Sequence, residues 1–265
     1  MTLIDTHSHL YEPEFDCDRD EAVGRALAAG VTTMLLPAIE TESHQRMFDL
    51  VRKYPAAIHP MMGLHPTSVN DNPRWREALA EVERLLESPP EGIRFVGVGE
   101  TGLDFYWSQD FKDEQIEAFR FQCGLAIRHN LPIAVHTRNA CNEMAEVIEE
   151  FRGRGLRGVF HAFGESAEVY RRLRACGDFL FGIGGVVTYK RAQIAQTVAE
   201  MPLEDMVLET DCPYLTPVPH RGKRNESAYV TYVCRCVAGL KGVAESEVAA
   251  ATTANARRMF GLFTA

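Results

Sequence analysis

The sequence predicts an α/β protein folded as a (β/α)8 barrel, running as a single domain over residues 1–265. Three observations predict it. Short apolar runs alternate with amphipathic stretches along the whole chain. Histidines and carboxylates recur at the C-terminal ends of those runs. No Pro/Ser-rich linker, low-complexity tract or short repeat breaks the pattern.

The expected strands cover 3–7, 32–37, 57–64, 95–100, 133–136, 158–161, 179–183 and 207–211. Each is short, apolar and bounded by a polar or turn-forming residue, as a strand buried on both faces should be. Helical periodicity falls between them, near 18–29, 43–53, 74–87, 113–129, 140–152, 167–175 and 190–200. Two further helical stretches follow, near 227–240 and 245–259. An open doubly wound sheet is the competing architecture. The segment Gly97-Val98-Gly99 lies inside a strand and opens no Gly-rich dinucleotide turn. The polar residues decide between the two. His7, His65, Glu100, His136, His161 and Asp211 all end predicted strands. Barrel strands bring such ends to one mouth, whereas distant strands of an open sheet cannot meet at one point.

Composition narrows the function. Hydrophobic residues are 46% and charged residues 25% of the chain, enough to bury a core beneath a polar surface. Seven scattered cysteines without a C-x-x-C pair point to neither a disulfide framework nor a structural zinc site. A net charge of −9 argues against a broad basic face for duplex nucleic acid. No apolar run reaches the roughly 18 residues of a membrane span. The first residues lack the basic start and apolar stretch of a secretion signal, so the expected compartment is the cytoplasm. No obligate protein partner is expected.

The chemistry gathers at the strand ends. His7 and His9 stand two apart after an apolar strand, so both imidazoles approach one ion. Glu100 ends the apolar run 95–100. A carboxylate there is costly to bury unless paired or metal-bound, and its two oxygens can bridge two cations. His136 and His161 end the next two predicted strands, and Asp211 the last. Any one buried histidine has a structural reading, but their recurrence at one end favours ligation. Together they offer imidazoles and carboxylates suited to Zn, Mn, Co, Ni or Fe, and less tightly to Mg. The set exceeds the needs of one ion and suits two, which at about 3.5–4 Å apart lower the pKa of a shared water. Asp211 is then the expected proton acceptor, with Glu100 beside it.

His65 points toward the same mouth and is a candidate phosphate contact, as is Arg138, two residues beyond His136. The densest basic cluster holds Arg221, Lys223 and Arg224, either a solvated loop or a grip on phosphates. Asp5 and Glu209 share the parity of His7 and Asp211 one layer deeper, and are expected as buried partners. Asp104 and Tyr106 are expected on the loop after Glu100, shaping the pocket. His44, His59 and His129 read as structural or surface residues.

These residues and their surroundings resemble the TatD family of metal-dependent deoxyribonucleases, within the amidohydrolase superfamily. The resemblance rests on Asp5-Thr-His7-Ser-His9, Gly63-Leu-His65-Pro, Gly99-Glu100-Thr-Gly-Leu-Asp104 and Val135-His136-Thr-Arg138. It continues through Phe160-His161-Ala-Phe163, Glu209-Thr-Asp211-Cys-Pro, Pro219-His220-Arg-Gly-Lys-Arg-Asn225 and Asn255-Ala-Arg257, and so spans nearly the whole chain. It implies a TIM barrel of the metallo-dependent hydrolase type and a cytoplasmic nuclease. It further implies that His7, His9 and Asp211 serve one metal, that His136 and His161 serve the other, and that Glu100 bridges them. One departure stands out: where the family often reads His-Cys-Phe-Ser-Gly, this chain has His161-Ala162-Phe163-Gly164-Glu165. A lost hydroxyl and a gained carboxylate bear on substrate choice more than on the metals.

The expected activity is exonucleolytic hydrolysis of DNA phosphodiester bonds, on a single strand or an exposed end. Two divalent ions are expected, Mg or Mn in use, with Zn or Ni possible as bound. The alternative is an amidohydrolase-like enzyme acting on a small amide, ester or lactone, since fold alone does not fix substrate.

Overall fold

The computed structural model describes residues 1–262. Its strands are β1 (Leu3–Asp5), β2 (Val31–Pro37), β3 (Ile58–Met62), β4 (Gly97–Asp104), β5 (Ile133–Arg138), β6 (Arg157–Phe160), β7 (Asp178–Ile183) and β8 (Met206–Leu208). They form one 8-stranded parallel sheet in sequence order. The sheet curls until β8 meets β1. The Thr6 amide donates to the Leu208 carbonyl at 3.0 Å and the Asp211 amide to the His7 carbonyl at 2.9 Å. Ser8 and Cys212 add a parallel bridge beyond the strand ends. This seam excludes the open sheet.

Helices α1 (Arg19–Ala28), α2 (His44–Lys53), α3 (Trp75–Glu87), α4 (Lys112–Arg128), α5 (Cys141–Glu150), α6 (Ala167–Arg174), α7 (Ile194–Glu200), α8 (Val230–Lys241) and α9 (Glu245–Phe260) complete the described chain. Each buries an apolar face, most of them against the strands and α7 between α6 and α8. In α2, Met47, Phe48, Leu50 and Val51 are buried, at the spacing of one helical stripe. Among the described residues, no helix is long and apolar enough to cross a membrane.

A second core fills the barrel. Ile4, Leu35, Met61, Val96, Ala134, Val159, Leu180 and Val207 form one buried cluster with Ala256, Met259 and Phe260. These are inward side chains, one from each strand or its immediate approach, sealed beneath by α9. The polar mouth lies at the opposite end.

Several boundaries differ from the sequence reading. β4 does not stop at Glu100. It runs on to Asp104, because Thr101, Gly102, Leu103 and Asp104 pair with Val135, His136, Thr137 and Arg138 of β5. Gly102 permits this at φ 143, where a Cβ would lie 2.0 Å from the His136 carbonyl oxygen. Asp104 is therefore a buried strand residue rather than part of a loop. β1, β6 and β8 end sooner than expected. His7, His161 and Asp211 lie just past the last ladder residues, still tied to neighbouring strands by backbone bonds from the Asp211 amide to His7 and from the His161 amide to Val135.

Candidate metal centre

Side chains two residues apart on a strand face the same way. Counting up from the apolar barrel floor thus gives the polar layer. Ala134 leads to His136, Val159 to His161, and Val207 to Glu209 and then Asp211. Four residues above Met61 and Val96 stand His65 and Glu100. Asp211 and Ala162 adopt left-handed backbone, at φ 58 and 45. That conformation costs a non-glycine residue roughly 1–2 kcal/mol, and here it occurs on, and directly after, a candidate ligand.

Glu100 is the hub. Its Oε2 lies 3.0 Å from His7 Nε2 and 3.6 Å from His9 Nε2. Its Oε1 lies 2.9 Å from His136 Nδ1, 3.4 Å from His65 Nε2 and 3.8 Å from His161 Nε2. One carboxylate thus presents a separate oxygen to each of two histidine groups. Asp211 Oδ1 lies 3.4 Å from His9 Nε2, 3.6 Å from His161 Nε2 and 3.9 Å from His7 Nε2. Its side chain is 14% exposed against 4% for Glu100, so Asp211 is the carboxylate nearer the mouth.

Neighbours orient these imidazoles. Tyr11 donates its hydroxyl proton to the Pro37 carbonyl at 2.6 Å, so it accepts from His9 Nδ1 at 2.9 Å. That bond leaves the Nε2 lone pair of His9 facing Glu100 and Asp211. Asp104 accepts the Tyr106 amide on Oδ1 and meets His136 Nε2 with Oδ2 at 2.9 Å, which turns Nδ1 toward Glu100. Glu209 accepts the Ala162 amide and lies 3.0 Å from His161 Nδ1. Gly182 makes room for it, since a Cβ there would fall 2.1 Å from Glu209 Oε2. Asp5 instead holds the Thr210 amide and hydroxyl, which fixes the turn into Asp211.

His65 differs from the others. Its Nδ1 accepts the Thr67 amide at 3.2 Å, so in the neutral ring Nε2 carries the proton. It faces Glu100 as a donor rather than as a ligand.

The electrostatics follow from burial against charge. Burial lowers the pKa of His161, but Glu209, Asp211 and Glu100 outweigh it and push the value up to about 10. Burial likewise opposes His136, which Asp104 and Glu100 raise to about 9. His7 falls to about 4 through burial and the nearby His161. Its ring stacks on His161 with centroids 3.3 Å apart. Glu100 lies well below the usual carboxylate range, because the surrounding imidazoles outweigh its burial.

The cluster fits divalent cations. Glu100, Asp104, Glu209 and Asp211 are buried or nearly so, and among the described residues histidines are their only ion-pair partners. With neutral imidazoles the cluster is strongly negative, and uncompensated buried charge costs several kcal/mol per ion. His161 Nδ1 and Glu209 Oε2 also lack a well-aligned hydrogen-bond partner among the described residues. Mixed imidazole and carboxylate donors suit zinc and the first-row divalent metals. The ligand atoms of His7, His9 and Asp211 come within 4.8 Å of one another, as do those of His65, Glu100 and His136, and of His7, His161 and Glu209. His136 and His161 do not share such a group, and their ring centroids are 6.4 Å apart.

A sequence profile of the TatD related DNase family matches residues 4–261. The chain belongs to the TatD family. Among TatD relatives, an uncharacterized metal-dependent hydrolase of Bacillus subtilis, YabD, is 38% identical over 97% of this chain and 98% of its own. A protein of Erwinia tasmaniensis named 3′-5′ ssDNA/RNA exonuclease TatD is 30% identical, covering 98% of this chain and 100% of its own. The crystal structure of YjjV, a TatD homolog from Escherichia coli, superposes with a TM-score of 0.89 at 28% identity over 98% of both chains. The chain is thus a metal-dependent hydrolase of the TatD family.

The expected substrate contacts divide. Arg138 is exposed with its guanidinium carbon 3.6 Å from the Tyr106 ring centroid, and Arg221 is exposed with its own 4.4 Å from that of Tyr189. Lys223 is exposed as well. Arg224 is engaged otherwise. It binds both Asp18 oxygens, at 2.6 and 2.8 Å, and the Glu14 carbonyl, and it lies over Phe15. It anchors its loop to the start of α1, where a phosphate contact would call for a free guanidinium. Glu165, the family departure, lines a cavity of about 120 Å³ with His161, Thr137 and Cys141. No motif or spacing in the sequence marks Tyr11 as a functional residue. Its only signal was an aromatic two residues beyond His9.

Proposed function

We propose that the chain is a deoxyribonuclease that uses two divalent metals, Mg or Mn in use with Zn or Ni possible as bound, and shortens DNA from the end of a single strand in the cytoplasm. The observation that carries this reading is Glu100, with one oxygen toward His7 and the other toward His136. His7, His9 and Asp211 would hold one ion and His136 and His161 the other, with Glu100 shared. When bound, such ions stabilise the charge that develops on a phosphoryl group and lower the pKa of water.

The chain's own residues do the rest. Asp211, the more exposed carboxylate, takes the proton from the attacking water. The His65 Nε2–H, its tautomer set by Thr67, faces Glu100 and would turn from it to donate to a phosphate oxygen. Arg138, Arg221 and Lys223 offer cations around the mouth. Tyr11, Asp104 and Glu209 fix the imidazoles behind them. The relative named as a single-strand exonuclease, similar over nearly the whole chain, supports this substrate.

The test is end-labelled single-stranded DNA with metal-stripped protein, re-supplied with Mg, Mn or Zn, beside Asp211→Asn. Metal-dependent stepwise shortening that the variant loses is the expected result. Intact DNA under all three metals, with metals bound, would overturn DNA as the substrate and turn attention to small amides, esters and lactones.

A further inference from the structure

Trp107 is 68% exposed and Tyr106 52%, while the chain's other tryptophan, Trp75, is 5% exposed. The two exposed rings meet edge to face, with centroids 5.0 Å apart at 87°. Arg138 joins them, its guanidinium carbon 3.6 Å from the Tyr106 centroid and 5.5 Å from that of Trp107. Adjacent exposed aromatics of this size are uncommon on a surface without a role.

This patch is tied to the metal centre. The Tyr106 amide donates to Asp104 Oδ1 at 3.0 Å, and the other oxygen of Asp104 meets His136 Nε2 at 2.9 Å. Arg138 stands two residues beyond His136 on β5, and its side chain donates to no protein acceptor among the described residues. A carboxylate that orients a candidate ligand therefore also sets the base of an aromatic platform with a free cation.

We infer that Tyr106, Trp107 and Arg138 form a stacking platform for the nucleobases that adjoin the phosphodiester in the metal centre. This rests on the phosphodiesterase reading above. Every base has a π face, so stacking binds single strands with little regard to sequence. Paired bases in a duplex already stack on one another. The platform therefore selects unpaired ends. Arg138, its guanidinium carbon 3.6 Å over the Tyr106 centroid, keeps its N–H groups for a neighbouring phosphate.

The test compares two labelled strands of equal length, oligothymidylate and an abasic strand. Both carry the same phosphates, and only one carries bases. Affinities are read by fluorescence anisotropy with the full chain, EDTA being present so that neither strand is cut. Wild type is expected to prefer oligothymidylate by roughly tenfold to a hundredfold. Trp107→Ala is expected to lose most of that preference and still bind the abasic strand as wild type does, with Tm unchanged. Arg138→Ala is expected to weaken both strands. Absence of a preference in wild type, or an unchanged preference in Trp107→Ala, would overturn the platform.

Cleavage of bis-p-nitrophenyl phosphate, a small diester without bases, judges the phosphodiesterase reading separately. A base preference without cleavage of either substrate keeps the platform and removes that reading. Cleavage without a base preference does the reverse.

Discussion

His9 Nδ1 stands 2.9 Å from the Tyr11 hydroxyl, and a third group fixes the direction of that bond. Tyr11 gives its only proton to the Pro37 carbonyl, so His9 must donate and keep Nε2 free. Tyr11→Phe removes the acceptor and keeps the buried ring. The expected result is metal affinity lower by about 10- to 100-fold with little change in Tm. Calorimetric titration of metal-stripped protein checks it, and unchanged affinity would contradict the role.

Gly182→Ala tests the support behind His161. The new Cβ would fall 2.1 Å from Glu209 Oε2, and Glu209 is fully buried. Something must shift, and overpacking of this kind costs roughly 1–3 kcal/mol. Thermal unfolding should show that loss, and metal binding should weaken with it as Glu209 leaves His161. A variant with wild-type Tm and wild-type metal affinity would count against this arrangement.

The metal-free protein should be sensitive to pH in both directions. His161 and His136 have folded values raised to about 10 and about 9, against roughly 6.5 unfolded. Their contribution to stability is complete below about pH 6.5 and is lost as pH rises through those folded values. His7 is lowered to about 4. Its contribution is present above about pH 6.5 and is lost as pH falls through the folded value. Tm of the metal-free chain should therefore fall on both sides of near-neutral pH. Saturating metal should flatten the alkaline side, because metal ligation requires neutral imidazole. Alkaline limbs that coincide with and without metal would contradict this.

The basic loop separates two roles for arginine. Arg221 lies over Tyr189 and is exposed, whereas Arg224 is committed to Asp18. Arg221→Ala should weaken single-stranded DNA binding and reduce the salt slope by about 0.7. Arg224→Ala should leave that slope unchanged and lower Tm slightly. The dependence of Kd on salt for the two variants reads the difference. Equal loss of slope in both would return Arg224 to the phosphate contacts.

The candidate site was largely legible because strands enforce a period of two. A histidine two residues above Ala134 must share its face, so His136 could be read directly; His161 and Glu209 keep that spacing just past their strands, while Asp211, at positive φ beyond β8, was legible only as the end of its apolar run. The barrel was legible because those ends need a common mouth. What escaped had no period to follow. Tyr11 sits in the turn after β1, where neither strand nor helix spacing predicts direction. The continuation of β4 to Asp104 depends on pairing with β5 and on Gly102 at positive φ, both invisible in the local run 95–100. Arg224 finds Asp18 across 206 residues of sequence, a contact no local pattern carries.

In the proposed site Glu100 would serve both metals, one with each oxygen. Metal content per chain, measured by elemental analysis after reloading and desalting, tests it most directly. Two ions per wild-type chain and at most one in Glu100→Gln are expected. One ion in the wild type, or two retained in the variant, would contradict it.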